Sequence, residues 1–200
     1  MSEQEVDHRK RRFLTKLTTG IGLVGTGLAA TPFVLSMTPS ERARAAGAPV
    51  EVDVGKLEAG QMRTEEWRGK PVWIVKRTPE MLAGLKQDVN LLADPDSKVA
   101  TQQPPYAQNP FRSIKPELLV LVGVCTHLGC SPLAKLTSGP ASGVTEDWPG
   151  GFFCPCHGSK FDLAGRVFKG VPAPTNLVVP PYSYISDTRL VIGADKDNKG

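Results

Sequence analysis

The chain has 200 residues and a formal net charge of +4, with 24 lysines and arginines against 20 acidic residues. Its hydrophobic content of 40% is sufficient for a packed core, whereas its 20 glycines and 18 prolines favour turns and short strands over long helices. The basic residues cluster near the N-terminus instead of covering a folded face, which argues against a nucleic-acid-binding protein.

The first predicted element is an apolar helix. Residues 17–40 carry no charge, and they follow a basic segment that contains the run RKRR at 9–12 and Lys16. A helix of that length rises about 36 Å, enough to cross a bilayer core of about 30 Å. We therefore predict a cytoplasmic tail over 1–16 and a transmembrane anchor over 17–38. A cleaved secretory signal is the alternative, because small residues surround 43–45.

The charges that flank the apolar stretch predict its orientation. Five basic residues precede it, against Arg42 and Arg44 after it. The positive-inside rule then places the N-terminus in the cytoplasm and the rest of the chain outside. The sequence KRRFL is similar to the twin-arginine export signal, although Lys10 stands where the first arginine of the pair is expected. That route exports proteins already folded around a cofactor.

Residues 39–48 are small and polar, and we interpret them as a flexible neck between the anchor and a head domain over 49–200. The alternative is a continuation of the anchor helix, because alanine and arginine favour helices.

The head is predicted to consist of short strands, long loops and one short helix. Thr78 is a suitable N-cap for a helix at 79–86, and Pro79 suits its first turn. The segment 66–71 is predicted to be a turn, and 93–116 a long loop. The head is therefore a mainly antiparallel β domain. Apolar, β-branched or alternating runs predict its strands at 50–54, 71–77, 118–124 and 189–194.

Two segments, CTHLGC at 125–130 and CPCHGS at 154–159, contain all four cysteines and two of the three histidines. Two thiols and two imidazoles would suffice for a structural zinc site. The two remaining thiols could then form a disulfide, as spare cysteine pairs of exported domains usually do. The same set also suits an iron–sulfur cluster in which histidines bind one of two irons. The spacing alone does not say which thiols are ligands.

These two segments, with GVPAP at 170–174, resemble the Rieske iron–sulfur proteins of quinol-oxidising complexes. The stretches 66–82 and 113–132 are similar to the subunit of bacterial cytochrome bc1 complexes. The resemblance covers the head from about Val50 to Ala194 and includes the anchor. It implies a mainly β fold, in which an antiparallel β-sandwich head with an inserted cluster-binding part over about 118–176 follows one transmembrane helix and a flexible tether.

The resemblance implies one [2Fe-2S] cluster per chain and assigns its ligands. Cys125 and Cys154 would bind the inner iron, and His127 and His157 the outer, solvent-facing iron. The zinc interpretation then recedes, because the paired motif is far more specific than a lone Cys-x-x-Cys.

Three further positions take roles from the same resemblance. Cys130 and Cys156 would form a disulfide between the two segments, and the hydroxyl of Ser159 would donate a hydrogen bond to a bridging sulfide. One position departs from the family: many members have a tyrosine whose hydroxyl donates to a ligating thiolate, where this chain has Phe161. The missing donor predicts a lower reduction potential.

The implied function is electron transfer in the respiratory bc1 complex. The cluster would take one electron and a proton from ubiquinol, with His157 facing the quinol and His127 also exposed, and would pass the electron to cytochrome c1. Leu128, Gly129 and the segment 170–174 would dock on cytochrome b. The protein would be a single-pass protein of the bacterial inner membrane with a periplasmic head, in a dimeric complex that contributes to proton translocation.

Three other functions are open to a chain with these motifs. One is the Rieske subunit of an exported molybdenum oxidase such as arsenite oxidase, and another is a soluble Rieske ferredoxin that feeds an oxygenase. The third is a zinc-stapled adhesion module without enzymatic activity.

Overall fold

The computed structural model describes residues 7–41, 45 and 47–194. Contacts divide the chain into two compact units, the anchor unit up to residue 45 and the head from residue 46 onward. The predicted tail includes residues 1–6 and the predicted neck includes 42–44 and 46, and these residues lie outside the described part of the chain.

The anchor unit contains helix α1, His8–Ser36. Asp7 is its N-cap, and a side-chain oxygen of Asp7 accepts hydrogen bonds from the amides of Arg9 at 2.9 Å and Lys10 at 3.2 Å. This cap explains why the helix begins at His8 and not at the start of the uncharged stretch. The 29 residues of α1 rise about 44 Å. By length and composition α1 is able to cross a membrane, and it is the one such helix among the described residues.

The head consists of three antiparallel sheets of three strands each, in the orders β1-β9-β8, β2-β3-β4 and β5-β6-β7. The third sheet is inserted in the chain between β4 and β8. Its position agrees with the inserted part that the resemblance implied, and the head is mainly β as expected. The strands are β1 Val50–Asp53, β2 Met62–Trp67, β3 Lys70–Lys76, β4 Leu118–Val122, β5 Leu133–Lys135, β6 Gly151–Cys154, β7 Ser159–Phe161, β8 Tyr182–Ser186 and β9 Arg189–Ile192.

The four predicted strands correspond to β1, β3, β4 and β9, and the predicted helix is α2, Pro79–Gln87. The hydroxyl of Thr78 accepts a hydrogen bond from the amide of Met81 at 3.2 Å, as expected for an N-cap. The predicted loop over 93–116 has no strand or α-helix. Short 3-10 helices lie at Asp88–Leu91, Ala100–Gln102, Pro105–Ala107 and Pro140–Ser142.

The turn predicted at 66–71 is smaller than expected, because Trp67 ends β2 and Lys70 begins β3. Arg68 and Gly69 alone connect the strands, with φ angles of 53° and 68°. Two consecutive positive φ angles are typical of a two-residue hairpin turn.

One hydrophobic core is shared by the three sheets. A strand that is buried along its whole length, β4, lies at its centre. Each fully buried large side chain contributes about 1.5–3 kcal/mol, so the inserted sheet is held on the other two by apolar contacts. The core includes Val52, Trp73, Leu121, Phe152, Phe161, Tyr182 and Leu190.

Candidate metal centre

Two loops of the head carry the predicted ligands. The first loop, residues 125–130, follows β4, and the second, residues 154–159, connects β6 to β7. Cys154 ends β6 and pairs with Ser159, the first residue of β7. Both loops therefore start from strands with buried residues, which fixes the position of the first cysteine in each.

The two loops share one turn. The amide of Gly129 donates a hydrogen bond to the carbonyl of Cys125, and the amide of Gly158 donates to the carbonyl of Cys154, both at 3.0 Å. The φ angles of the two glycines are +83° and +78°. A Cβ atom at either glycine would meet no heavy atom within 4 Å, so glycine is needed there for its backbone conformation.

The two loops place sulfur inside and nitrogen outside. The side chains of Cys125 and Cys154 are buried, with 3% and 2% of their residue surface exposed. His127 is half-buried and His157 is exposed. The two imidazole rings face each other edge-on, with centroids 4.9 Å apart. The structure thus keeps the two predicted thiol ligands buried and brings the two predicted imidazole ligands together on the more exposed side of the loops.

The surroundings of Cys125 show how close the inner groups lie. Burial raises the pKa of the Cys125 thiol, and the neighbouring thiol of Cys154 raises it further. Hydrogen bonds from the backbone of His127 and the hydroxyl of Ser159 lower that pKa. The two thiols are therefore close enough to affect each other's ionisation, and the Ser159 hydroxyl favours the thiolate of Cys125. A bound cation would deprotonate both, because thiolates are the ligating form.

Cys130 and Cys156 form a disulfide that joins the two loops. The sulfur atoms of Cys130, Cys154 and Cys156 lie within 4.8 Å of one another, a grouping that could by itself suggest a metal site. Because two of the three are bonded to each other, Cys154 is the one thiol of this group that is available to a metal. Cys125 is the other free cysteine.

The segment 170–174 is fixed to both loops. The amide of Ala173 donates a hydrogen bond to the hydroxyl oxygen of Ser159 at 3.1 Å. The hydroxyl of Thr126 donates to the carbonyl of Thr175 at 2.7 Å. The role of Thr126 was not predicted, because a threonine between two candidate ligands gives no signal of its own in a single sequence. The Ser159 hydroxyl accepts from Ala173 and keeps its own hydrogen for a further bond.

Aromatic side chains pack in the core next to the strands that lead into the two loops. The ring of Trp73 stacks on Phe152 with centroids 5.0 Å apart. A Cβ atom at Gly123 would lie 2.3 Å from the Trp73 ring. This glycine therefore lets the chain pass close to the indole between the end of β4 and Cys125. Phe161 is fully buried and pairs with Phe152 across β6 and β7. Phe161, where the resemblance leads us to expect a tyrosine, therefore lies in the hydrophobic core, in the strand that pairs with the strand of Cys154.

The donor set fits a Rieske [2Fe-2S] cluster. Two thiols are buried next to each other, and two imidazoles lie on the more exposed side. A four-ligand zinc ion would use the same atoms, but the Ser159 hydroxyl favours the thiolate form of Cys125, and donors beside a ligating sulfur stabilise the added negative charge of a reduced cluster.

Two family models match the chain. Residues 49–183 match the family described as "Rieske [2Fe-2S] domain", and residues 1–40 match that described as "Ubiquitinol-cytochrome C reductase Fe-S subunit TAT signal".

Relatives of known name match over almost the whole chain. The ubiquinol–cytochrome c reductase iron–sulfur subunit of Allochromatium vinosum is 58% identical over 196 residues, 98% of this chain and 94% of that protein. The subunit of Blastochloris viridis is 41% identical, over 96% of this chain and 97% of that protein. A solved chain of a hyperthermophilic respiratory Complex III is 29% identical, with a TM-score of 0.46 over 86% of this chain and 98% of that one.

Proposed function

The chain belongs to the Rieske iron–sulfur subunits of ubiquinol–cytochrome c reductase, and we propose that it carries electrons from ubiquinol to cytochrome c1 within that oxidoreductase complex. The observation that carries the proposal is the pair of loops, which bring two buried thiols and two outward imidazoles together in a chain with full-length relatives of that name. The match of residues 1–40 and the names of the relatives favour quinol oxidation over the molybdenum-oxidase alternative.

The proposed assignment of ligands to the two irons is based on how deeply each side chain is buried. Cys125 and Cys154 would bind the inner iron of the cluster, and His127 and His157 would bind the outer iron. When bound, the cluster supplies one-electron chemistry at a potential that imidazole ligation raises into the range of about −150 to +300 mV. The disulfide between Cys130 and Cys156 would hold the loops together around it.

The imidazoles would handle the proton. Each ring has one nitrogen for the metal and a second nitrogen that is free to exchange a proton with a substrate or with water. His157 is the more exposed of the two, so its free nitrogen would accept the hydrogen bond and then the proton of a quinol hydroxyl. Release of that proton on the outer side of the membrane would contribute to proton translocation.

An apolar rim around the histidines would dock on cytochrome b. Leu128, beside the histidine of the first loop, has 72% of its surface exposed, and Gly129 is exposed as well. Pro172 and Pro174 expose ring surface on the other side of the site. The proline rings and the leucine side chain carry no charge. They therefore suit a hydrophobic partner surface that excludes water from the quinol hydroxyl.

The anchor unit would hold the protein in the membrane. Helix α1 would span the bacterial inner membrane once, with the N-terminus in the cytoplasm and the head in the periplasm, as the flanking charges predict. The segment 39–48 would let the head move between cytochrome b and cytochrome c1. The complex would work as a dimer.

EPR spectroscopy of the dithionite-reduced protein tests the proposal. We expect a spectrum typical of mixed nitrogen and sulfur ligation, and a midpoint potential that falls by about 59 mV per pH unit where one proton accompanies the electron. His157→Ala should abolish the spectrum, whereas His8→Ala, which replaces the third histidine in α1, should leave it intact. An EPR-silent protein that binds zinc would contradict the proposal.

A further inference from the structure

Four charged side chains are buried inside the head. Arg77, Arg112 and Arg166 have 2%, 0% and 1% of their residue surface exposed, and Asp162 has 1%. Asp162 forms an ion pair with Arg166 at 2.7 Å. Among the described residues, no carboxylate oxygen lies within 4.0 Å of a side-chain nitrogen of Arg77 or Arg112. The head therefore contains two buried positive charges without an ion-pair partner in the described part of the chain.

These two arginines bind backbone carbonyls of the segment that directly follows β7. Nη1 of Arg77 donates to the carbonyl of Leu163 at 3.0 Å. Nη1 of Arg112 donates to the carbonyls of Ala164 and Gly165, at 3.2 and 3.3 Å. Carbonyl oxygens satisfy the N–H groups but bring no negative charge. Nε of Arg112 is buried and has no hydrogen-bond partner in the described structure.

Buried charges are costly unless they are paired, so two of them need a physical reason. Burial lowers the pKa of Arg77 and of Arg112 to about 10. Both guanidinium groups therefore remain protonated at neutral pH. Burial of these two charges lowers the free energy of unfolding of the head.

The position of the two charges supplies the reason. Ser159 pairs with Cys154 across β6 and β7. It lies four residues before the Leu163 carbonyl that Arg77 binds, and five and six residues before the Ala164 and Gly165 carbonyls that Arg112 binds. An extended chain of four to six residues spans at most about 13–20 Å. Arg77 is thus held within about 16 Å of Ser159 and Arg112 within about 23 Å, in an interior where salt screens charge only weakly.

We propose that Arg77 and Arg112 are positioning residues that supply a fixed positive charge to the reduced metal centre and so raise its reduction potential. This inference rests on the proposed function. Reduction adds one negative charge to the centre, and two fixed cations favour that state over the oxidised one. Asp162 opposes them, because its carboxylate attracts both guanidinium groups in addition to its ion pair with Arg166. Glu117 acts on Arg77 and Asp94 acts on Arg112 in the same sense.

The inference is tested by EPR-monitored redox titration of the full chain with its cluster. Arg77→Gln and Arg112→Gln each remove one charge but keep hydrogen-bond donors, and each should lower the equilibrium constant for reduction by roughly threefold to sixfold at an effective dielectric constant of about 20. Arg112→Lys keeps the charge and should leave the potential within the error of the unaltered protein. Arg189→Gln removes an exposed arginine from β9 and serves as the matched control, with little change expected.

The direction of the potential shift in Asp162→Asn distinguishes a charge effect from a loss of local structure. It removes the one buried negative charge but leaves an oxygen to accept from the amides of Ala164 and Arg166. If charge is the cause, the reduction potential of Asp162→Asn should rise. If the substitution instead loosened the loops, the potential should fall, as in the glutamine variants. If neither glutamine variant assembles a cluster, Asp162→Asn decides alone.

The outcomes separate the two proposals. Normal EPR spectra with unchanged potentials in the glutamine variants, or a lowered potential in Asp162→Asn, would overturn the role of the arginines and leave the electron-transfer function intact. Absence of a cluster spectrum in the unaltered chain would overturn the proposed function itself.

Discussion

Phe161 stands at the position where the resemblance to the Rieske proteins leads us to expect a tyrosine, and its surroundings allow the effect of the missing hydroxyl to be measured. It is fully buried in β7, two residues after Ser159. A hydroxyl on that ring, aimed at a ligating thiolate, would add one charge-assisted hydrogen bond to the reduced state.

We expect Phe161→Tyr to raise the midpoint potential by about 60 mV, because a hydrogen bond to a charged group is worth about 1.5 kcal/mol. Protein-film voltammetry measures the shift. Phe153→Tyr is the control, because Phe153 lies in the same strand pair but is half-buried and opposite Lys160. An unchanged or lowered potential in Phe161→Tyr would contradict the expectation.

Gly151 begins β6 with a backbone conformation that other residues avoid. Its φ angle is +146°, and a Cβ atom there would lie 2.0 Å from the carbonyl oxygen of Phe161. The obstacle is backbone of the paired strand, so it cannot move without breaking the pairing that leads to Cys154.

Gly151→Ala should lower the free energy of unfolding by more than about 3 kcal/mol and reduce cluster content. Gly170→Ala is the matched control: its φ angle is +70°, but no heavy atom lies within 4 Å of the added carbon. That variant should lose only about 1–2 kcal/mol, the cost of the left-handed conformation. Urea denaturation measures both, and equal losses would show that the collision with Phe161 is unimportant.

At the scale of the element, the strands that could be predicted are those with strong apolar patterns. The four predicted strands carry runs such as LLVLV, which burial alone explains. Strand β2 has the sequence MRTEEW and was missed, because its pairing with β3 overrides a polar sequence. Strands β5 and β7 have three residues each, too short for any period to be visible.

The candidate ligands stand out more clearly in the sequence than the sheets around them, because cysteine and histidine are rare and their spacing is specific. The buried arginines could not be predicted. Arg77 and Arg112 are separated in sequence from the carbonyls that they bind, and a charged residue in a single sequence is expected to be exposed.

Strand β8 carries two tyrosines whose hydroxyls are in different environments. Tyr182 accepts a hydrogen bond from the amide of Ile114 at 2.8 Å. The hydroxyl of Tyr184 is buried and has no partner in the described structure. Burial raises the pKa of both phenols above the usual value of about 10.

The raised pKa values predict a loss of stability at alkaline pH. Above about pH 10 the unfolded chain releases phenolic protons that the folded head retains, so the folded state binds more protons and the free energy of unfolding falls as pH rises. Tyr184→Phe should make this fall shallower and change stability little at pH 7. Tyr182→Phe should cost about 1–3 kcal/mol at pH 7, because the Ile114 amide loses its acceptor. Urea denaturation between pH 7 and pH 11 checks both, and parallel pH profiles for unaltered protein and Tyr184→Phe would contradict the assignment.

At the scale of the whole molecule, the proposed function requires the head to change position between two partners. The segment 38–48 connects the two compact units and is small and polar in sequence. If the head moves on this segment, stiffness there limits turnover without touching the metal centre.

Consecutive prolines within 38–48 should therefore lower quinol–cytochrome c reductase turnover several-fold in the assembled complex and leave the midpoint potential unchanged. A glycine–serine replacement of the same length keeps flexibility and should retain turnover. Steady-state rates and redox titration of the same preparations give both quantities. Full turnover of the proline variant would remove the need for movement.

The disulfide between the loops has a consequence for how the protein is made. The sulfurs of Cys130 and Cys156 both lie within 4.8 Å of the Cys154 sulfur, and Cys156 is exposed. Oxidant that arrives before iron meets neighbouring thiols able to pair wrongly, and a pairing through Cys154 would consume a ligand. A cofactor bound through Cys154 would withdraw that thiol from exchange. We therefore expect cluster insertion to precede oxidation, and apoprotein oxidised too early should show scrambled bridges through Cys154 in non-reducing peptide mass spectra.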